Sequence, residues 1–145
     1  MLVLKGSIAD QELTFLVGSG ASKNFISDKL KFPWQSISPL RVKLADGDVL
    51  VTSKGLFTPL NLAGSKHTMK ADLVAIPLRS FDVILGQPWL KEQNPVINWQ
   101  TREITLQDAT TLQAVPTKNS SIQLMSARQF HKTIHKQEAA EVFFP

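Results

Sequence analysis

The sequence contains no cysteine, which excludes a disulfide framework, thiolate zinc sites and a cysteine nucleophile, and agrees with a reducing cytosol or nucleus. No apolar run approaches the ~18 residues of a membrane span, and the start Met1-Leu2-Val3-Leu4-Lys5 is too short for a signal peptide. An intracellular, cytoplasmic location without membrane contact is therefore expected. Collagenous, coiled-coil and disordered biases are missing as well. What remains is a chain of 145 residues, 43% of them hydrophobic, enough for one domain whose core needs neither disulfide nor metal.

The formal charge of +4 would favour polyanions only if it were concentrated. Lys23, Lys29 and Lys31 lie near one another, and His131, Lys132, His135 and Lys136 fall in the C-terminal part, but aromatic and basic residues do not interleave. No direct nucleic-acid binding is expected. His131 and His135 stand four apart, as a zinc pair would, yet Lys132 occupies the place of the metalloprotease glutamate, so they read as solvated helix histidines. No metal site and no cofactor are expected.

The first 106 residues read as β-rich. Leu2-Val3-Leu4 and Glu12 to Val17 form a hairpin around a polar turn containing Gly6, Ser7, Asp10 and Gln11. Leu40 to Leu44 alternates at period 2, Ala45-Asp46-Gly47-Asp48 breaks it, and Val49-Leu50-Val51 resumes it as a second hairpin. Four further strands are expected over Gly55 to Leu62, Met69 to Ile76, Asp82 to Leu85 and Glu103 to Leu106, with prolines between them. Gln87 to Gln93 carries Pro88 in a first turn and stops before Asn94-Pro95, the signature of a short helix. The whole suggests an all-β closed barrel over residues 1–108, a linker over 109–120 and a helical tail over 121–145.

Two segments about 60 residues apart carry the functional signal. The first is Phe15-Leu16-Val17-Gly18-Ser19-Gly20-Ala21-Ser22, continuing through Asn24-Phe25-Ile26; the second is Phe81-Asp82-Val83-Ile84-Leu85-Gly86-Gln87-Pro88-Trp89-Leu90. Gly18-Ser19-Gly20 fits no dinucleotide fingerprint, because Lys23 sits where the third glycine belongs, and it fits no Walker A loop either. Together the segments resemble the retropepsin-like aspartic peptidase domain of gypsy-type LTR retrotransposon polyproteins. There an apolar strand runs into Asp-Ser/Thr-Gly-Ala, and a later strand ends in Ile-Leu-Gly.

The resemblance implies a homodimer, since each chain supplies half of a two-carboxylate site in which one acid activates water and the other polarises the scissile carbonyl. It makes Gly18, Ser19 and Gly20 the catalytic loop, with Gly18 in the place of the catalytic aspartate. Ser19 would brace the partner's loop and Gly20 would let peptide approach. Ala21, Ser22 and Ile84 would line the substrate, and Ala45, Asp46 and Gly47 would form the flap tip above it. Asp82 is a tempting surrogate acid, but the family commonly carries aspartate there for structural reasons. Residues 121–145 resemble the connector that precedes reverse transcriptase, and the chain is expected to be a fragment of a decayed element or a short gene model, with virus-like particles included in its setting.

Function is thus expected to be that of an aspartic-type endopeptidase domain of a polyprotein, inactive as written. The alternatives are a noncatalytic dimeric module that binds an extended peptide or polyprotein segment, and an inert relic.

Overall fold

The computed structural model describes residues 2–43 and 49–115. Strands β1 (Leu2–Ile8) and β2 (Gln11–Val17) pair antiparallel from Leu2 opposite Val17 to Ile8 opposite Gln11. Ala9 and Asp10, at φ 51° and 66°, make the two-residue turn, a conformation whose twist suits a tight hairpin. The expected turn residues Gly6, Ser7 and Gln11 are instead inside the strands. Gly6 is glycine because another strand crosses it: a Cβ there would collide with the Asn61 carbonyl oxygen and stand 2.8 Å from Phe15 Cε1.

β3 (Phe25–Ser27) follows, then β4 (Gln35–Lys43) and β5 (Val49–Leu62) form the second hairpin, with Lys43 opposite Val49. β5 merges the two strands expected at Val49–Val51 and Gly55–Leu62. Its polar middle does not interrupt the ladder, because Thr52 and Lys54 pair with Leu40 and Ser36, and the Thr52 hydroxyl donates to Ala75 O at 2.8 Å. β4 shifts register between Ser36 and Leu40, around Pro39, on the edge of the sheet where a residue without N–H is tolerated.

β6 (Met69–Ile76) falls where the sequence places it, and β7 is shorter than expected, at Val83–Leu85. The seven strands run in the order β1-β2-β7-β3-β6-β5-β4, and β1 also meets β5 at Gly6–Leu62 and Ser7–Asn61, so the sheet rolls back onto itself. Alternating side chains of β5 and β6 point inward, with Leu56, Leu60, Leu62, Leu73 and Ala75 buried around Phe15 and Leu4. Helix α1 (Gln87–Gln93) has Gly86 as N-cap and Asn94 as a left-handed C-cap, and buries Trp89.

A second sheet of β8 (Val96–Asn98), β9 (Glu103–Thr105) and β10 (Thr111–Gln113) has the order β10-β9-β8. β10 lies in the stretch expected as linker and corrects its start. Leu112 and Ala114 are fully buried, and the Val115 N–H donates to Val3 O at 2.7 Å, which ties this stretch to β1. The linker composition that matters, Pro116 and Lys118, begins only afterwards. The expected helical tail over 121–145 lies outside the described residues. Among the described residues no helix is long and apolar enough to cross a membrane.

Candidate functional site

β2 and β7 run parallel, with Leu16 beside Ile84 and Val17 beside Leu85, and the chain leaves β2 directly into Gly18-Ser19-Gly20. The Gly18 N–H extends the ladder by donating to Leu85 O at 2.9 Å, and the Ala21 N–H turns back onto Gly18 O at 3.2 Å. Three bonds then lock the loop to the start of α1. Gln87 N–H donates to Ala21 O at 2.8 Å, Gln87 Nε2 donates to Ser19 O, and Gly86 N–H donates to the buried Asn24 Oδ1 at 2.8 Å. Gly86 leaves no alternative residue, since a Cβ would collide with Lys23 O and approach Ala21 O to 2.6 Å.

Gly18, Ala21 and Ile84, expected in one site, do meet. Leu16, Ala21, Phe25, Val42 and Ile84 form one apolar cluster, so the turn-proximal part of the β4 arm stands against the loop. Ser19 is exposed and Ser22 half-buried on the same loop. Ala45, Asp46 and Gly47 lie outside the described residues; only the arms that lead to them are seen. Gln87 and the side-chain role of Asn24 went unassigned in the sequence. Asn24 is a buried polar residue whose partner lies 62 residues away, and only its adjacency to an apolar Phe25-Ile26 run hints at burial.

Space decides what Gly18 is for. A Cβ on it meets only Ile84 Cγ2, at 3.3 Å, and its φ lies outside the left-handed region. The backbone does not require glycine there, and a side chain needs only that the Ile84 methyl give by a few tenths of an ångström. Asp82 does not substitute: its Oδ2 accepts from Thr14 N–H at 2.8 Å and from Thr14 Oγ1 at 3.2 Å. Thr14 is four residues back along β2, about 13 Å at ~3.3 Å per residue. An open groove of about 550 Å³ lies at that same distal end, lined by Lys5, Glu12, Thr14 and Asp82, away from the Gly18 loop. Among the described residues no three His, Cys, Asp or Glu side chains converge to hold a metal.

A family model, the PEG10/RTL1 protease domain, matches residues 14–115. The chain belongs to that family. The match spans both halves of the site, from Thr14 on β2 to Val115, and takes in the β7–α1 junction. Among solved structures, the retroviral protease-like domain of Ddi1 from Leishmania major is similar with a TM-score of 0.55 at 19% identity, covering 80% of this chain and 92% of that one. At that identity the likeness concerns the fold, which is retroviral protease-like and mostly β with one short helix. No curated protein sequence matches.

Proposed function

We propose that this member of the PEG10/RTL1 protease domain family is a gypsy-derived aspartic endopeptidase domain that pairs as a homodimer and has lost its chemistry through glycine at position 18. The observation that carries this is the contrast at the loop. Backbone and side-chain bonds hold the loop to β7 and α1, a side chain at Gly18 would press only on the Ile84 methyl, and the loop from Gly18 to Ser27 carries no carboxylate. Aspartic peptidases need two carboxylates that share one proton and position a water, and positioned acid–base groups contribute ~10²–10⁴-fold. Without them cleavage falls to background.

Twofold pairing follows from one loop per chain, and the surface supports it. β8 is the outer strand of its sheet, and beside its open edge Val96 and Trp99 are 70% and 69% exposed. Together with exposed Ser19 they form the contact assigned to the partner chain. Extended peptide would then lie between the paired loops and the β4–β5 hairpins, in the manner of strand addition. The cytoplasm, or a virus-like particle within it, is the setting, and residues 121–145 act as a polyprotein connector.

Replacing Gly18 with Asp tests this. The Gly18→Asp chain should cleave fluorogenic peptides with apolar centres at mildly acidic pH, inhibited by pepstatin, while the native chain cleaves nothing. A folded, dimeric Gly18→Asp chain without activity would refute it.

A further inference from the structure

The outer face of the β4–β5 hairpin carries a stripe of exposed apolar side chains. Val49, Val51 and Phe57 are 41%, 62% and 53% exposed. They stand at odd positions of β5 and so share one face, whereas Leu56, Thr58, Leu60 and Leu62 turn inward. Ile37 continues the stripe between Val51 and Phe57, because it lies over Gly55, where a Cβ would approach Ile37 Cγ2 to 3.0 Å. From Val49 to Phe57 the stripe runs about 26 Å at ~3.3 Å per residue, and exposed apolar surface rimmed by polar residues marks an interaction site. Its rim is basic. Arg41 stands opposite Val51 and Lys43 opposite Val49, both exposed, and opposed residues of a ladder share a face. Neither β4 nor β5 contains an acid. On β6 the ladder adds one acid, Asp72 opposite Phe57, and one base, Lys70 opposite Pro59.

We infer that this face is the docking surface for residues 138–144 of the same chain. It calls for large apolar side chains next to carboxylates. After Asp108 the sequence has two acids, Glu138 and Glu141, and they directly precede Val142, Phe143 and Phe144. Glu138 and Glu141 meet Arg41 and Lys43, and the aromatic rings cover Val51 and Phe57, so that charge complementarity sets the position and apolar burial supplies the affinity. Lys132 and Lys136 are repelled by the same two cations, which keeps the residues before 138 off the face. Reach does not limit the contact. The Val115 N–H donates to Val3 O on β1, and β1 meets β5 at Leu62, so the chain leaves from the strand beside β5. Residues 116–137 span up to ~70 Å when extended, against about 36 Å along β5 from Leu62 to Val51. Attachment through such a linker gives an effective concentration of up to about millimolar, which favours this segment over a free partner. The contact does not depend on what stands at position 18 and holds whether or not the domain is a peptidase.

Because the chain has no cysteine, a single nitroxide can be attached at Ala140→Cys in the isotope-labelled full chain. The amide signals of Val49, Val51 and Phe57 should lose most of their intensity and recover it when the nitroxide is reduced. No loss at these three residues, or a loss spread evenly over the domain, overturns the docking. Glu138→Lys with Glu141→Lys, which leaves the sheet untouched, should abolish the loss. Arg41→Glu with Lys43→Glu should abolish it as well, and all four changes together should restore it; if the sheet variant does not fold, the variant at 138 and 141 decides alone. A loss that survives reversal of Glu138 and Glu141 overturns the charge pairing. Labelled chain without nitroxide, mixed with unlabelled chain that carries it, should show no loss. A loss in that mixture equal to the one within a single chain places the segment of a second copy on the face and overturns docking within the chain.

Discussion

The two ends of the β2–β7 ladder are closed in different ways, one by a carboxylate and the other by main chain alone. At the distal end Asp82 holds Thr14 through its N–H and hydroxyl, so this carboxylate is committed to closing the ladder. At the proximal end, the position proposed above for the acid, Gly18 closes the same ladder through its backbone alone, and a Cβ there would meet only the Ile84 methyl, at 3.3 Å. The Asp82 carboxylate is therefore structural, and on the proposal above the position that would make one chemical lacks it. Fold and chemistry are separable here because the bonds that shape the loop come from the Gly86 amide, the Asn24 and Gln87 side chains and the main chain.

The largest effect expected from breaking this arrangement is at Gly86. Gly86→Ala forces a methyl against the carbonyl oxygens of Lys23 and Ala21, backbone atoms that cannot swing aside, and should destabilise the domain by about 3 kcal/mol or more in urea unfolding. Gly18→Ala, by contrast, should change stability by no more than ~1 kcal/mol, since only a side-chain methyl must give way and backbone entropy favours alanine. Equal losses at the two glycines would mean that Gly18 is structural after all.

Asn24→Ala comes next. It leaves the Gly86 N–H buried without an acceptor, at a cost of about 1–3 kcal/mol by the same unfolding measurement. In the Gly18→Asp background it should also reduce cleavage more than stability alone explains, because the loop loses its tie to α1. Asp82→Ala removes two bonds from a half-buried site and should cost about 1–2 kcal/mol. Cleavage by folded Gly18→Asp protein should survive that change, and a complete loss of activity would make Asp82 a working acid.

Much of the site was legible in the sequence, because the residues that make it are restricted in type. Pro88 in a first turn and Asn94 before Pro95 mark α1 at both ends, and the structure keeps those limits. Gly86 and the Val83-Ile84-Leu85 run identify the strand beneath the loop, and Asp82 reads as structural. Strands β3, β8 and β10 were not legible, since three residues give no period to detect. Gly6 looked like a turn residue because glycine marks both turns and close strand crossings, and only the approach of Asn61 distinguishes them. The bond from Asn24 to Gly86 joins residues 62 apart, beyond any local pattern.

The smallest effect expected concerns acid sensitivity. Hydrogen bonds from Thr110 hold the exposed Asp108 carboxyl below its usual range, with His67 3.4 Å away adding to the effect. A depressed folded-state value contributes stability above the unfolded value and loses it as pH falls through the folded one. Asp108→Ala should therefore be slightly less stable than the native chain at neutral pH and indistinguishable from it in strong acid. A difference that grows in acid would reverse the sign.

The central claim is that two copies of the Gly18 loop make one site, and a mixing experiment tests it directly. A fixed amount of Gly18→Asp chain is equilibrated with increasing native chain, and peptide cleavage is followed. Since only dimers with two aspartates are active, random pairing at equal amounts should leave about half of the original activity, falling further as native chain is added. Cleavage that stays constant however much native chain is present would show that a single chain carries the whole site.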